Sequence, residues 1–135
     1  MKVLFVCRAN VGRSQMAEVL YRKETSFETA SAGTKVHVEN QKISDRPLAK
    51  PVIEFMKKEG IDVSENRSNQ IMQSDLNNFD KVIVMAEPET IPDFLSKSSK
   101  FIYWYIKDPK GMDDECYKKI IKEIKRKIKE LIRNN

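Results

Sequence analysis

Short apolar runs alternate with stretches of amphipathic sequence along the chain. Residues 3–6, 27–32, 81–85 and 101–106 form apolar-rich runs that predict four strands. The first run, Val-Leu-Phe-Val, is continuously apolar and has β-branched ends. Such a run is typical of a strand that is buried on both faces of a parallel sheet.

Apolar residues at helical spacing occupy the segments between these runs. Within residues 13–23, Met16, Val19 and Leu20 share one face of a predicted helix. Further helices are predicted over residues 47–59, 68–76 and 88–95, and from Met112 or Asp113 toward the end of the chain. Strands that alternate with helices indicate right-handed crossovers, and therefore an α/β fold in which helices cover both faces of a parallel sheet.

Length and composition narrow the class of protein. The chain has 135 residues, of which 40% are hydrophobic and 33% charged. These values predict one domain over residues 1–135 and exclude collagen-like, low-complexity and strongly disordered chains. No apolar run approaches the roughly 18 residues of a membrane span, and the N-terminal run is too short for a signal peptide. Two cysteines cannot form a disulfide scaffold, so we expect a cytoplasmic protein without a membrane partner.

The positive charge of the chain is concentrated at one end. The formal net charge is +5. Residues 117–135 hold eight basic and two acidic residues, a net of +6, whereas residues 1–116 carry 17 basic and 18 acidic residues, a net of −1. A solvated face of the last helix accounts for this distribution, and no nucleic-acid partner is expected.

The loop after the first strand is where a ligand site is expected, because parallel α/β sheets bind ligands outside the carboxyl ends of their strands. The segment from Cys7 to Ser14 reads Cys-Arg-Ala-Asn-Val-Gly-Arg-Ser. Its backbone N–H groups and the start of the next helix are suited to hold an oxyanion, and Arg13 can donate to two of the oxygens. The positive electrostatic potential of these N–H groups and of Arg13 also favours the thiolate form of Cys7, to which the Ser14 hydroxyl can donate.

Residues 3–18 resemble the phosphate-binding loop of the low-molecular-weight protein tyrosine phosphatases, a family related to the thioredoxin-coupled arsenate reductases. The resemblance continues in order along the chain, in Ser-Ala-Gly-Thr at residues 31–34, in residues 60–62 and 67–71, and in residues 108–117, which begin with Asp-Pro. It implies a three-layer α/β fold with a four-stranded parallel sheet of order 2-1-3-4.

The resemblance also implies an activity. The protein would be a cysteine-dependent phosphomonoesterase, specifically a protein-tyrosine phosphatase, that forms a phosphocysteine intermediate without a metal or cofactor. Cys7 would attack phosphorus, Arg13 and the loop amides would hold its oxygens, and Asp108 would protonate the leaving oxygen and then activate water. The substrate would be a phosphorylated protein or a small phosphomonoester, and inorganic phosphate would be a product. The remaining loop residues would bind the substrate: Arg8, Ala9, Asn10, Val11, Gly12 and Ser14.

Several positions depart from the pattern of this family. Ala9 and Gly12 stand where the family usually has Gly and a second Cys, so the partner for a protective disulfide is missing. Arg8 and Lys110 replace residues that are often apolar or aromatic, which makes the rim of the site basic and less suited to stack a phenyl ring. Val11 resembles the tyrosine-directed members, whereas Thr at this place resembles the protein-arginine phosphatases.

Other functions on the same scaffold stay open at this point. A protein-arginine phosphatase would share the loop chemistry, and an arsenate reductase would bind arsenate in place of phosphate. The reductases need further cysteines near the loop or an external glutaredoxin, whereas Cys116 is in register with the apolar face of the last helix and is expected in the core. A non-catalytic phosphate-binding module would require neither Cys7 nor Asp108.

Overall fold

A four-stranded parallel sheet forms the centre of the protein in a computed structural model that describes residues 1–134. Its strands lie in the order β2-β1-β5-β6. These four are the first to fourth strands of the sheet along the chain, so the predicted order 2-1-3-4 is confirmed. A separate two-stranded antiparallel ladder pairs β3 with β4. The strands are β1 (Val3–Cys7), β2 (Thr29–Gly33), β3 (Gln41–Lys42), β4 (Arg67–Ser68), β5 (Lys81–Val84) and β6 (Phe101–Tyr103).

The described residues also form four α-helices and four short 3₁₀ turns, of which all but the last helix lie between strands. The 3₁₀ turns span Ile43–Asp45, Pro47–Ala49, Gln73–Asn78 and Pro88–Thr90. The helices are α1 (Arg13–Glu24), α2 (Lys50–Lys58), α3 (Asp93–Ser96) and α4 (Asp114–Arg133). No helix in the described part of the chain is long and apolar enough to cross a membrane.

Alternate residues of β1 face two different cores, as the pleat of a strand requires. Phe5 and Cys7 belong to the larger core, which α1, α2 and α4 cover, whereas Leu4 and Val6 belong to a smaller core on the other face. Leu95 of α3 packs into that smaller core. The helices thus lie on both faces of the sheet, as predicted, and β1 is buried along its whole length.

The longest helix begins at a capped residue and buries one apolar stripe. The Asp113 side chain accepts a hydrogen bond from the backbone N–H of Cys116 at 3.0 Å, which supplies the N-terminal cap. Ile120, Ile124 and Ile128 repeat at four-residue spacing and are buried against the larger core. Cys116 is only half-buried, although it packs against that core as its register predicts.

Three segments differ from the sequence-based expectation. The predicted helix over residues 88–95 is divided into the 3₁₀ turn Pro88–Thr90 and α3 (Asp93–Ser96). Residues 68–76 do not form the predicted helix, because Ser68 belongs to β4 and the following 3₁₀ turn begins only at Gln73. The buried Ser68 hydroxyl donates to the carbonyl of Asn10 at 2.8 Å, so this residue serves the loop after β1 instead of a helix start. β6 ends at Tyr103 and not at residue 106, and the Tyr105 side chain is 80% exposed.

Candidate active site

The loop from residue 8 to residue 12 joins the carboxyl end of β1 to the first turn of α1. β1 lies between β2 and β5, so the chain leaves it first toward one side of the sheet and later returns on the other side. The loop is therefore at the point where strand order reverses, as expected. Cys7 is the last residue of β1 and Arg13 the first of α1, and both are buried.

Asn10 fixes the shape of this loop. Its backbone φ is +56°, in the left-handed region that Asn tolerates better than most residues, and its side chain is fully buried. The amide Nδ2 donates to the hydroxyls of Ser14 at 2.8 Å and Ser31 at 3.0 Å. The Oδ1 atom accepts from the backbone N–H of Asn69 at 2.9 Å. The side chain thus ties the loop to α1, to β2 and to the segment after β4.

The backbone of the loop is also held from behind. The Asn10 carbonyl accepts hydrogen bonds from Gln15 Nε2 at 3.1 Å and from Ser68 Oγ at 2.8 Å. Gln15 is 1% exposed and donates from the same nitrogen to the carbonyl of Arg67 at 3.0 Å. These contacts restrain the left-handed turn at Asn10 and keep the loop in one conformation.

Gly33 allows the end of β2 to pass close to the loop. A Cβ atom at this position would lie 2.7 Å from the carbonyl oxygen of Arg8, which is too short for a non-bonded contact. The next two residues then donate backbone hydrogen bonds to the loop, from Thr34 to the carbonyl of Cys7 and from Lys35 to that of Arg8. This close approach requires glycine at residue 33.

The loop presents a row of unpaired backbone donors. Within residues 1–134, the backbone N–H groups from Arg8 to Ser14 donate no hydrogen bond, whereas the carbonyl groups of Arg8, Asn10 and Gly12 accept hydrogen bonds. The first N–H groups of α1 belong to this set, because a helix leaves its initial donors without intrahelical partners. A short loop with such donors at a helix start is suited to bind an anion with several oxygens.

A hydrogen-bonded chain leads from Asn10 to the sulfur of Cys7. The Cys7 Sγ atom lies 3.0 Å from Ser14 Oγ, which accepts from Asn10 Nδ2 at 2.8 Å. Because the amide of Asn10 is the donor in the second contact, the hydroxyl of Ser14 is free to give its own proton to the sulfur. In this orientation the Ser14 hydroxyl is a hydrogen-bond donor to the sulfur of Cys7.

Arg13 places a positive charge beside the sulfur. Its guanidinium is buried and donates from Nη1 to the carbonyls of Met85 at 2.6 Å and Ile106 at 3.1 Å. Burial lowers the pKa of Arg13, but attraction to Cys7 and the contacts with Glu87 and Asp108 outweigh this effect and hold the pKa above its ordinary value. Arg13 therefore stays charged.

Glu87 is a residue of this site that the sequence analysis missed. Its Oε1 atom accepts from Arg13 Nη2 at 3.3 Å. Burial raises the pKa of Glu87, but the hydrogen bond from Arg13 and the charges of Arg13 and Arg8 lower it by more. The net shift of the pKa is therefore downward, and the carboxylate stays ionised. The available signal was its position just beyond the carboxyl end of β5, which lies at the same sheet edge as the loop.

Asp108 lies across the site from the loop. Its Oδ2 atom is 3.8 Å from Arg13 Nη2, and its side chain is 43% exposed. The other carboxylate oxygen accepts from the backbone N–H of Lys110 at 3.0 Å. Asp108 can therefore reach both a bound ligand and solvent water.

A pocket of about 50 Å³ opens between the loop and the Asp108 segment. Of the residues that the sequence predicted, Cys7, Ala9, Val11, Gly12, Arg13 and Asp108 line it. Asn10 and Ser14 lie buried behind the loop, and Arg8 is exposed outside the lining. The remaining lining residues are Arg46, Leu48, Val52, Pro109, Lys110 and Tyr117. Among residues 1–134, no three His, Cys, Asp or Glu side chains form a group that could hold a metal ion.

The family match and two similar relatives point to the same group of proteins. Residues 2–134 match the family described as low molecular weight phosphotyrosine protein phosphatase. Arsenate reductase 2 of Staphylococcus epidermidis is 32% identical over 129 residues, which are 93% of this chain and 92% of that protein. Glutaredoxin arsenate reductase of Synechocystis sp. is 29% identical, over 97% of this chain and 95% of that protein.

A solved structure supports the same assignment. The crystal structure of the low molecular weight protein tyrosine phosphatase from T. tengcongensis superposes with a TM-score of 0.84 and 30% sequence identity. The match covers 100% of this chain and 99% of the other. Both phosphatases and arsenate reductases are therefore found among the proteins that share this fold and sequence pattern.

Proposed function

Because the chain belongs to the low molecular weight phosphotyrosine protein phosphatase family, we propose that it is a phosphomonoesterase with Cys7 as its nucleophile. One observation carries the proposal. Cys7 lines the same pocket as a loop whose backbone N–H groups are unpaired within the described residues, and it lies beside the buried charge of Arg13. Such a site binds a tetrahedral dianion and places a nucleophile against its central atom.

The first chemical step transfers the phosphoryl group to sulfur. The Cys7 thiolate forms a bond to phosphorus while the bond from phosphorus to the leaving oxygen breaks. Arg13 and the loop N–H groups hold the three equatorial oxygens, whose charge they stabilise through the transition state. Asp108, in its protonated form, gives its proton to the leaving oxygen.

The second step releases inorganic phosphate. The Asp108 carboxylate, which is partly exposed to solvent, accepts a proton from a water molecule as the water oxygen attacks phosphorus. The phosphorus–sulfur bond breaks and Cys7 returns as a thiolate, to which the Ser14 hydroxyl at 3.0 Å donates. Arg8, Ala9, Val11 and Gly12 supply backbone donors to the substrate, and Asn10 holds the loop in shape.

The walls of the pocket support phosphotyrosine in proteins as the substrate. Val11, Leu48, Val52 and Pro109 provide apolar contacts on several sides, which suit an aryl group that carries the phosphate. Tyr117 is buried at the same pocket. Val11 also stands where a threonine would resemble the protein-arginine phosphatases, and its apolar side chain favours the aryl substrate over a guanidinium.

Arsenate reduction is the second candidate, because relatives at 32% and 29% identity carry that name. Conversion of arsenate to arsenite takes two electrons, which must come from thiols. The other cysteine of the chain, Cys116, is half-buried and packs against the larger core. A second thiol would therefore have to come from an external reductant, and this difference separates the two activities.

An assay of p-nitrophenyl phosphate at neutral pH tests the proposal. We expect the wild-type protein to hydrolyse it and Cys7→Ala to show no turnover, whereas the matched variant Cys116→Ala should keep wild-type activity. In parallel, arsenate is offered with glutathione and glutaredoxin, and arsenite is measured. Hydrolysis that survives Cys7→Ala would contradict the role of Cys7. Arsenate reduction without any phosphate-ester hydrolysis would favour the reductase instead.

A further inference from the structure

We propose that the preferred substrate carries a second negative charge on its leaving group, which Arg46 and Lys110 bind at the rim of the pocket. The inference rests on the proposed phosphomonoesterase function and adds the substrate class. Both residues line the pocket, yet neither is needed to hold the phosphate, which the loop and Arg13 already surround. Arg46 lies between the first two 3₁₀ turns and Lys110 lies between β6 and α4, so two separate segments of the chain bring a cation to the pocket.

Arg46 is half-buried at the pocket and its guanidinium has no partner. Its backbone is fixed, because its N–H donates to the carbonyl of Ile43 and its carbonyl accepts from the N–H of Ala49, both at 2.9 Å. Within residues 1–134, no hydrogen bond or ion pair is made by its side chain. A half-buried cation that pairs with none of the described residues is available to an anionic ligand in the pocket.

Lys110 is tied to the catalytic acid of the proposed mechanism. Its backbone N–H donates to Asp108 Oδ1 at 3.0 Å, so its side chain starts beside the place where the leaving oxygen must lie. The ammonium group is exposed and forms no ion pair with the described residues. Because the side chain is long and flexible, it can follow a substrate of variable length.

The charges that line the pocket are unbalanced. Its lining contains three cations, Arg13, Arg46 and Lys110, whereas its anionic groups are the Asp108 carboxylate and, in the proposed mechanism, the Cys7 thiolate. Arg13 already contacts Asp108 and Glu87, which lies outside the lining. When a phosphate dianion occupies the loop against Arg13, the two rim cations still lack an anion.

Apolar side chains in the same pocket lining indicate which leaving group fits beside these cations. Leu48 is 49% exposed and Pro109 is buried, and both line the pocket beside the two cations. An aryl or alkyl leaving group would contact these apolar side chains, while a carboxylate or second phosphate farther along it would reach Arg46 and Lys110. A phosphotyrosine flanked by acidic residues meets this description, and so does a small phosphate ester with a carboxylate.

The experiment compares substrates that differ only in this second charge. One pair is 4-carboxyphenyl phosphate and its neutral analogue 4-carbamoylphenyl phosphate, and the other is a phosphotyrosine peptide flanked by Glu and the same peptide flanked by Gln. The ratio of kcat/KM within each pair is measured for the wild type, Arg46→Gln, Lys110→Gln and the double variant. Lys129→Gln on α4 removes the same charge far from the pocket and is the matched control. The ratio of kcat/KM for each variant is divided by the same ratio for the wild type, so intrinsic differences in reactivity between the leaving groups cancel.

We expect the wild type to prefer the anionic member, and each rim substitution to reduce this preference by roughly threefold, the range that exposed ion pairs provide. The double variant should lose the preference, Lys129→Gln should retain it, and salt should weaken it because about 1 M salt shortens the screening length to about 3 Å. A preference in the aryl pair alone would identify a small ester as the source of the charge, and one in the peptide pair a protein.

Two results would overturn the inference, and they are distinguishable. Rim substitutions that leave the ratio of kcat/KM unchanged in both pairs, or that reduce it no more than Lys129→Gln does, would show that Arg46 and Lys110 select no second charge. The phosphomonoesterase function would then stand, because the neutral substrates are still hydrolysed. Failure to hydrolyse either member of either pair would overturn the proposed function, and the inference with it.

Discussion

In the proposed mechanism, the Asp108 side chain serves two steps. Its carboxylate is 3.8 Å from Arg13, which places it over the pocket, and its 43% exposure leaves a path for water. A buried carboxyl group could protonate the leaving oxygen but would exclude the water that the second step requires. The position of Asp108 at the edge of the pocket satisfies both steps.

Replacement of Asp108 should therefore depend on the leaving group. Asp108→Asn cannot supply a proton, so we expect kcat/KM, which reports phosphoryl transfer to sulfur, to fall by about 10²-fold or more for phenyl phosphate and much less for p-nitrophenyl phosphate, whose leaving group needs no proton. A series of aryl phosphates measures this as a steeper dependence of rate on leaving-group basicity. Asp114→Asn, on the exposed first turn of α4, is the control. An equal loss across the series would contradict the acid role.

The sequence indicated some residues of the site and not others, for physical reasons. Cys7 and Arg13 could be identified from the sequence, because a nucleophile and a cation border one short loop between a buried strand and a helix. Glu87 and Gln15 do not, since their contacts with the loop depend on how β5 and β4 are placed in space. An acid after a strand or a glutamine in a helix is too common to single out without the fold.

At the scale of elements, the junction of the loop with α1 decides what oxidation does to the site. Gly12 stands where the resemblance to the phosphatase family would place a second cysteine, and its backbone has φ −110° and ψ −90°. A Cβ atom here would meet only Val52 Cγ2, at the ordinary contact distance of 3.8 Å. The site thus has space for a cysteine beside Cys7, although the chain does not place one there.

We expect peroxide to inactivate the wild-type protein in a way that soon becomes irreversible. A thiolate that lines a pocket, as that of Cys7 does in the proposed mechanism, is oxidised to a sulfenic acid, which proceeds to a sulfinic acid when no thiol is near. Bound phosphate should slow the inactivation because it occupies the loop. Gly12→Cys should instead form a disulfide with Cys7, and dithiothreitol should restore its activity after the same exposure.

Mass spectrometry of the oxidised protein supplies the check on this prediction. Cys116→Ala should behave as the wild type does. A disulfide between Cys7 and Cys116 in the wild-type protein would contradict the account, and it would strengthen the case for a reductase.

Elements that are long enough to show periodicity were predictable, and short ones were not. β1, α1 and the last helix follow from apolar spacing, as the buried stripe of α4 demonstrates. β3 and β4 contain two residues each, which is too short for any alternation. They form because their residues pair with each other and brace the loop through Ser68.

At the scale of the whole molecule, the basic last helix has a structural role. Lys125 of α4 and Lys23 of α1 both form ion pairs with Glu59, at 2.7 and 3.7 Å, so one carboxylate joins two helices to the end of α2. Arg126 pairs with acids of its own helix. The solvated face predicted for this helix is consistent with these contacts.

Stability should depend on pH through Glu59. The hydrogen bond from Lys125 lowers the pKa of Glu59, burial opposes it, and the charges of Lys125 and Lys23 add to the lowering, so the folded pKa is below the unfolded one. The stabilisation is therefore complete above pH ~4.3 and is lost as pH falls through the folded pKa. Glu59→Gln should lower the free energy of unfolding by about 0.5–1 kcal/mol at pH 7.

Urea titrations between pH 7 and pH 3 measure this difference. It should shrink as the pH falls, because the Glu59 carboxylate of the wild type takes up a proton as the pH approaches its lowered folded pKa. Glu28→Gln, which removes an exposed ion pair with Lys2, is expected to change stability less. A difference that stays constant across this range would show that Glu59 contributes through packing and not through charge.

The phosphocysteine intermediate offers the most direct test of the central claim, that this loop directs Cys7 at phosphorus. The protein is mixed with p-nitrophenyl phosphate, quenched rapidly in acid and digested, and its peptides are analysed by mass spectrometry. We predict one added phosphoryl group on the peptide that contains Cys7, a larger amount in Asp108→Asn because hydrolysis of the intermediate is slowed, and none in Cys7→Ala. Sustained turnover with no phosphoryl group on Cys7, or with the label on another residue, would contradict the account.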